Sequence, residues 1–142
     1  MARAISTNRP ASVKYSMEIS RAIKGKKLSA AQQFLEDVME QKRFLSLKVY
    51  NKKVAHRKGN SVDGVKSGRY PIKTCRQWVK LLKNVRSNAD VKGLSIEKLK
   101  VVHANATKGF ARMSNQSQGR ISGKRREAKS SHLEIIVCEV SA

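Results

Sequence analysis

Between Lys108 and Lys129 the chain carries seven basic residues, Lys108, Arg112, Arg120, Lys124, Arg125, Arg126 and Lys129, against one acid, Glu127. The intervening residues are mainly Ser, Asn, Gln, Gly and Ala, which hydrogen-bond but cannot collapse into a core. Guanidinium and ammonium groups set among amides suit phosphates, 2′-hydroxyls and base edges. A second run, Lys42 to Lys80, holds twelve Lys or Arg and a single acid, Asp63. Its middle, "NKKVAHRKGNSVDGVKSGRYP", contains Lys52, Lys53, Arg57, Lys58, Lys66 and Arg69, with three glycines, a proline and no periodicity, so it reads as loop. An isolated run of this kind is ordinarily a solvated linker. This one is long, lies between two helical patterns and is matched by the second run downstream, which turns the reading toward a binding surface.

Catalytic chemistry finds no foothold. The ten carboxylates are scattered, and His56, His103 and His132 have no metal-ligand spacing to one another or to Cys75 and Cys138. His103 and His132 are expected to face each other across a strand pair as a structural couple. No Gly-rich phosphate loop occurs. No cofactor, metal or small-molecule substrate is implied. The two cysteines are compatible with one stapling disulfide or with reduced core residues.

A chain of 142 residues fits one domain with a real core. Thirty-one Lys and Arg against ten Asp and Glu give a net charge of +21, and such self-repulsion opposes compaction unless a polyanion neutralises it. Nucleic acid is the first candidate partner and an anionic membrane surface the second. The N-terminus lacks an apolar signal core and no apolar run reaches membrane-spanning length, so no membrane insertion is expected and a cytosolic or nuclear location is the default.

The elements that must position these cations follow from periodicity. Residues 1–11 read as a basic, poorly ordered N-terminal arm carrying Arg3 and Arg9. Tyr15, Ile19, Ala22 and Ile23 share one helix face, ended by Gly25. A second helix carries Ala31, Phe34, Leu35, Val38 and Met39, with Ser29 and Gln32 spaced as a capping box. A third begins near Pro71, buries Cys75, Trp78, Val79, Leu82 and Val85, and closes at Gly93. Strand alternation follows: Leu99, Val101 and His103 on one face of the first strand, and Leu133, Ile135 and Val137 on one face of the second. Helices first and strands last predict an α+β fold: three main helices packed on a small antiparallel sheet, with a long hairpin or loop projecting from it.

About 27 residues join the two strands, too many for a structureless connection in a compact domain unless they serve a function. If the arms run antiparallel, each has about 13 residues and the finger reaches ~40 Å at ~3.3 Å per residue. An exposed disordered loop is the plainer alternative. Phe110 is its one aromatic residue, which disfavours single-strand stacking along the finger.

Three blocks carry a family resemblance. "LLKNVRSNADVKGL" (81–94) resembles the LLK-x-A-x-x-NAE-x-KGL helix end of the large-subunit ribosomal protein family numbered twenty-two in bacteria and seventeen in eukaryotes. "AIKGKKLSAAQQFLEDV" resembles its IRGK segment. "QGRI" with "SHLEIIV" is similar to its GRA or GRI turn and closing strand. The blocks stand in the right order from about residue 12 to 140, and the basic insert ending "SGRYP" looks like the archaeal and eukaryotic branch. The resemblance implies a structural constituent of the large ribosomal subunit that binds rRNA and lines the polypeptide exit tunnel with its hairpin. Its implied partners are large-subunit rRNA, neighbouring ribosomal proteins and the nascent polypeptide at the tunnel wall. The implied location is cytoplasmic ribosomes, with nucleolar assembly if the chain is eukaryotic.

By position, Asn105 matches an Asn at the hairpin's start, Arg112 an Arg on its outgoing arm, and Gly119–Arg120 the GR pair near the tip. The tunnel-lining tip is then Met113, Ser114, Asn115, Gln116, Ser117, Gln118, Gly119 and Arg120. "MSNQSQ" stands where the family usually has further Arg, and charge gathers instead at Lys124, Arg125 and Arg126. The whole reads as one rRNA-binding domain, 1–142, with the basic arm 1–11, a basic loop insert 49–70 and an extended hairpin 106–131. A free-standing basic nucleic-acid chaperone or DNA-compacting protein would share the charge and size but not the ordered three-block match. A nuclease would need the clustered carboxylates or metal site that the sequence lacks.

Overall fold

The computed structural model describes residues 1–59, 64–115, 119–120 and 123–140. Its centre is a three-stranded antiparallel sheet of β1 (Ala2–Arg9), β4 (Leu99–Lys108) and β7 (Ser131–Glu139), in the order β1-β7-β4. Helices α1 (Val13–Ile23) and α3 (Ile72–Val91) cover one sheet face, and α2 (Leu28–Met39) packs against α3. A two-residue ladder, β2 (Leu45–Ser46) with β3 (Gly68–Arg69), closes the neck of the basic insert. A separate ladder, β5 (Arg112–Asn115) with β6 (Arg125–Ala128), stiffens the hairpin.

The segment expected as a disordered arm is an edge strand. Ala2, Ala4 and Ser6 turn inward and are buried, while Arg3, Ile5 and Thr7 turn outward. The inward side chains are small because α3 lies over this strand. Asn88 of α3 also donates its amide to the Arg3 carbonyl at 2.9 Å, tying the edge down.

The helical stripes form as their spacing implies. Ile19, Ile23, Ala31, Leu35, Val38, Cys75, Trp78 and Val85 are all fully buried. At the end of α3, Leu94 N–H bonds the Ala89 carbonyl and Gly93 N–H that of Asp90, with Gly93 at φ +68°. These are the paired bonds of a Schellman stop, which needs the left-handed glycine. The capping box of α2 does not form. The helix starts at Leu28 with Lys27 as its cap residue, leaving Ser29 inside the first turn. The cause is tertiary: Val101 N–H bonds the Lys26 carbonyl and Gly25 N–H that of Val101, so the turn before α2 is already held against the outer edge of β4.

Strand β4 departs from simple alternation. Val101 pairs with Val137 but His103 pairs with Ile136, so Val102 is an extra residue and is 46% exposed. The bulge reverses the phase, and beyond it Ala104 and Ala106 point to the core instead of His103. His103 therefore does not meet His132, which pairs with Thr107. Its Nε2 lies 2.8 Å from Glu134 Oε1, and His132 Nδ1 accepts from the Asn8 N–H at 3.3 Å. Cys75 and Cys138 are free thiols, and burial pushes Cys75 up to about 12, which keeps it a protonated core residue.

One buried acid helps to fix the position of the basic insert. Glu18 of α1 is 2% exposed, and its Oε1 accepts from the N–H groups of Val49 at 2.8 Å and Tyr50 at 2.9 Å. Arg21, one turn on, balances its charge at 3.5 Å. Replacing Glu18 with Ala strands those donors and should cost about 1–3 kcal/mol in denaturant unfolding. It should also speed tryptic cleavage at Lys52 and Lys53, whereas an unchanged cleavage rate would mean that the insert is held elsewhere. Every residue of β5 and β6 is exposed. Excising residues 112–128 and closing with a two-residue turn should thus leave a cooperative melt within a few degrees of the intact chain.

Candidate nucleic-acid interface

Two basic devices project from this core. In the insert, Lys52, Lys53, Lys58, Lys66 and Arg69 are exposed. The expected loop is more ordered than its composition suggests: Leu47 N–H bonds the Ser67 carbonyl, Arg57 N–H bonds that of Lys66, and His56 bridges to Ser67. Gly68 is required at the neck, because a Cβ there would lie 2.2 Å from the Phe44 ring. Arg57 is a different kind of residue from its neighbours. Its Nε donates to the Gly68 carbonyl at 3.3 Å and its guanidinium lies 5.5 Å from the Tyr70 ring centroid, so it holds the insert's shape as well as presenting charge.

The hairpin brings the second set together. Register pairs Arg112 with Ala128, Met113 with Glu127, Ser114 with Arg126 and Asn115 with Arg125. Arg112 and Arg126 therefore share one face of the ribbon, and Arg125 shares the other with Glu127. Lys108, Arg112, Arg120, Lys124, Arg125, Arg126 and Lys129 are all exposed. Glu127 lies 3.7 Å from Lys108 and leaves the remaining cations of the arm as the dominant charge.

The tip differs from the expected Met113–Arg120. Met113, Ser114 and Asn115 belong to the paired outgoing arm, while Gly119 and Arg120 lie in the turn. Gln116, Ser117 and Gln118 fall outside the described residues. Among the described residues the pair furthest from the sheet is Asn115 with Arg125, and Gly119 at φ +87° and Gly123 at φ +78° both take the left-handed conformation. Asn105 lies earlier, within β4 opposite Glu134, and its Oδ1 accepts from the Ala106 N–H at 2.8 Å.

Sequence reasoning missed the joint between sheet and hairpin. Gly109 N–H bonds the Ser130 carbonyl at 3.0 Å, where the two arms leave the sheet. Asn8 reaches across from β1, and its Oδ1 accepts from the Phe110 N–H at 3.0 Å. The Ser130 hydroxyl donates to the Phe110 carbonyl at 2.5 Å. Asn8 takes φ +50°, a conformation that Asn tolerates better than most residues. A Cβ at Gly109 would meet Ser130 Oγ at 2.6 Å and Asn8 Oδ1 at 2.9 Å, so the joint requires glycine.

Several of the acids, meanwhile, are engaged within the domain. Glu18 binds loop N–H groups, Glu36 and Asp37 accept from Gln32 and Gln33, Glu40 pairs Lys42 at 2.6 Å, and Glu134 pairs His103. The Lys42 ammonium is held above its usual range by its hydrogen bond to Glu40. Among the described residues no group of three His, Cys, Asp or Glu is arranged to hold a metal ion, and no helix is long and apolar enough to cross a membrane. The geometry fits a carrier of positive charge on two rigidly mounted projections.

Comparison with known proteins gives this arrangement a lineage. A family model described as ribosomal protein L22p/L17e matches residues 4–138. The large ribosomal subunit protein uL22 of Archaeoglobus fulgidus is 46% identical over 108 residues, covering 76% of this chain and 68% of that protein. The uL22 of Ignicoccus hospitalis is 39% identical over 142 residues, covering 98% of this chain and 88% of that protein. That of Methanocaldococcus jannaschii is 39% identical over 140 residues, covering 97% and 87%. Near end-to-end matches to archaeal proteins accord with the long basic insert. The chain belongs to the ribosomal protein L22p/L17e family, a family of structural ribosomal components and not of enzymes.

Proposed function

We propose that the chain is a structural constituent of the large ribosomal subunit that binds rRNA through its insert and hairpin, with the hairpin turn lining the polypeptide exit tunnel. The observation that carries this reading is the hairpin itself. Its two arms pair with each other, every residue of β5 and β6 is exposed, and among the described residues no other element packs extensively against the ribbon. A two-stranded ribbon is marginal alone in water, so it gains from an external scaffold, and its cations specify an anionic one. In the insert the rRNA-binding residues are Lys52, Lys53, Lys58, Lys66 and Arg69, with Arg57 shared between binding and loop shape. In the hairpin they are Lys108, Arg112, Arg120, Lys124, Arg125, Arg126 and Lys129. Neighbouring ribosomal proteins complete the surroundings, and cytoplasmic ribosomes are the working location.

A tunnel wall passes many different nascent chains and must retain none. Ser, Asn and Gln near the turn stay hydrated and offer no apolar patch, while the Arg120 guanidinium can seat the turn on a phosphate or face nascent charge.

Binding of the full chain to large-subunit rRNA should weaken steeply with salt, each neutralised phosphate contributing roughly −0.7 to −0.9 to the slope of log K against log salt. Substituting Lys58, Lys66 and Arg69 with Ala should reduce that slope by about 2–3 while the far-ultraviolet circular dichroism is retained. A slope near zero for the unsubstituted chain would remove the electrostatic account. In cells the protein should sediment with large subunits through a moderate salt wash; spreading over free nucleic acid would indicate a chaperone instead. Arg120→Trp adds bulk at the turn without touching the paired arms. Ribosomes carrying it should assemble and then pause at particular nascent sequences in ribosome profiling. Normal elongation, with the turn on the outer surface of the mutant subunit, would refute the tunnel assignment.

A further inference from the structure

Phe110 is the one aromatic side chain of the hairpin, and it stands 71% exposed at its root. Its backbone is nonetheless among the most tightly held points of the projection. Asn8 Oδ1 takes its N–H at 3.0 Å, the Ser130 hydroxyl donates to its carbonyl at 2.5 Å, and the preceding Gly109 N–H bonds the Ser130 carbonyl at 3.0 Å. Asn8 is itself fixed by its own N–H to His132 Nδ1 at 3.3 Å. Two segments distant in sequence thus converge on one residue and leave its ring in solvent. Such fixing removes entropy in advance of binding, and so favours a ligand that covers the ring.

The surroundings say what kind of ligand. Register places Arg9 and Lys108 on either side of Ser131, one residue from the clamp, and Arg112 and Lys129 follow within two residues along the arms. All four cations are exposed, and the nearby acid, Glu127, is bridged to Lys108. An apolar protein surface would be a poor occupant inside that ring of charge, because burying the ring would desolvate the cations as well. An unpaired nucleotide answers both demands, with its base stacked on the ring and its phosphates among the cations.

We propose that Phe110 is a stacking platform for an unpaired base of RNA, with Asn8 and Ser130 as the residues that position it. The site rests on the reading of the chain as an rRNA-binding protein and adds a base-contacting element to one otherwise built for the phosphate backbone. Stacking tolerates any base, so the site recognises a base displaced from its helix and not a particular sequence.

The test is titration of the full chain against large-subunit rRNA at several salt concentrations, for Phe110→Ala, Phe110→Leu and Phe110→Trp. Ala and Leu should weaken binding roughly 5- to 150-fold, the range that removal of one aromatic–base stack produces. The salt slope should not change, because no charge is lost. Trp should keep the affinity, and its emission, measured as a difference from the unsubstituted chain with its buried Trp78, should be quenched by RNA. Asn8→Ala should reproduce part of the loss through a looser clamp, again at constant slope. Wild-type affinity in the Leu variant, or unquenched Trp emission in the complex, overturns the site alone and points to a neighbouring protein or to solvent over the ring. Absence of salt-dependent RNA binding in every variant, the unsubstituted chain included, removes the functional reading and the site together.

Discussion

Mutual repulsion among the cations is the constraint that the rest of this structure answers. A net charge of +21 on 142 residues cannot be gathered round a small core without cost, and the fold responds by separating the two. The core is apolar, built from Ile19, Ile23, Leu35, Trp78, Leu82, Leu99, Leu133 and Ile135. Thirteen of the 31 cations are carried outboard on the insert and hairpin, which add little to it, and nearly all the others lie on exposed faces of the core elements and their turns. Local pairing deepens the separation: Glu40 takes Lys42, Glu134 takes His103, and Glu18 is consumed by the backbone of the insert. These carboxylates are thereby partly withdrawn from competition with an external anion. Exposed pairs such as Lys42–Glu40 contribute little stability. Their larger effect is on the sign of the surface field.

Projections useful for binding must still point in a defined direction, and the two are aimed by different means. For the insert, a buried carboxylate accepts two backbone donors just beyond β2, while the Arg57 guanidinium braces the returning strand. Both are charge-assisted bonds, stronger than neutral ones and well suited to a segment whose apolar anchoring is slight, with Val54 packed at the edge of the core. For the hairpin, the clamp is neutral and comes from the far side of the sheet, through Asn8. The N-terminal strand therefore closes the sheet edge and also sets the departure angle of a projection a hundred residues away in the chain.

The sequence made some of this legible and concealed the rest for identifiable reasons. Long apolar stripes in α2 and α3 and the alternation in β7 are local signals that tertiary packing reinforced. The strand character of β1 was hidden because its inward residues, Ala2, Ala4 and Ser6, are too small to look like a core face; only the closeness of α3 explains them. In β4 a single inserted residue at Val102 inverted the pattern, and no periodicity analysis locates a bulge. Ser29 and Gln32 form an eligible capping box, overruled by backbone bonds from β4 that start the helix earlier. Among candidate binding residues, exposure of the basic runs was readable from composition. The structural employment of Arg57 was not, because its partners are a backbone carbonyl and a ring that the fold brings to it. The pairing of Met113, Ser114 and Asn115 with the returning arm was not readable, because a polar ribbon has no buried face to fix its register.

The polar nature of the hairpin root follows from where the core stops. Ala106 and Leu133 are the last opposed pair with apolar side chains turned inward. One step further, Lys108 faces Ser131, whose hydroxyl is buried without a partner among the described residues. Beyond that level no apolar layer is available to orient the arms, so hydrogen bonds must do it, and they require close approach. Gly109 permits the approach, Asn8 supplies the acceptor from a backbone conformation few other residues tolerate, and Ser130 completes the bridge. A bonded root followed by an unpacked ribbon divides the labour between protein and partner. The sheet fixes where the hairpin starts and which way it leaves, and the surface that receives it supplies the order that β5 and β6 cannot provide for themselves.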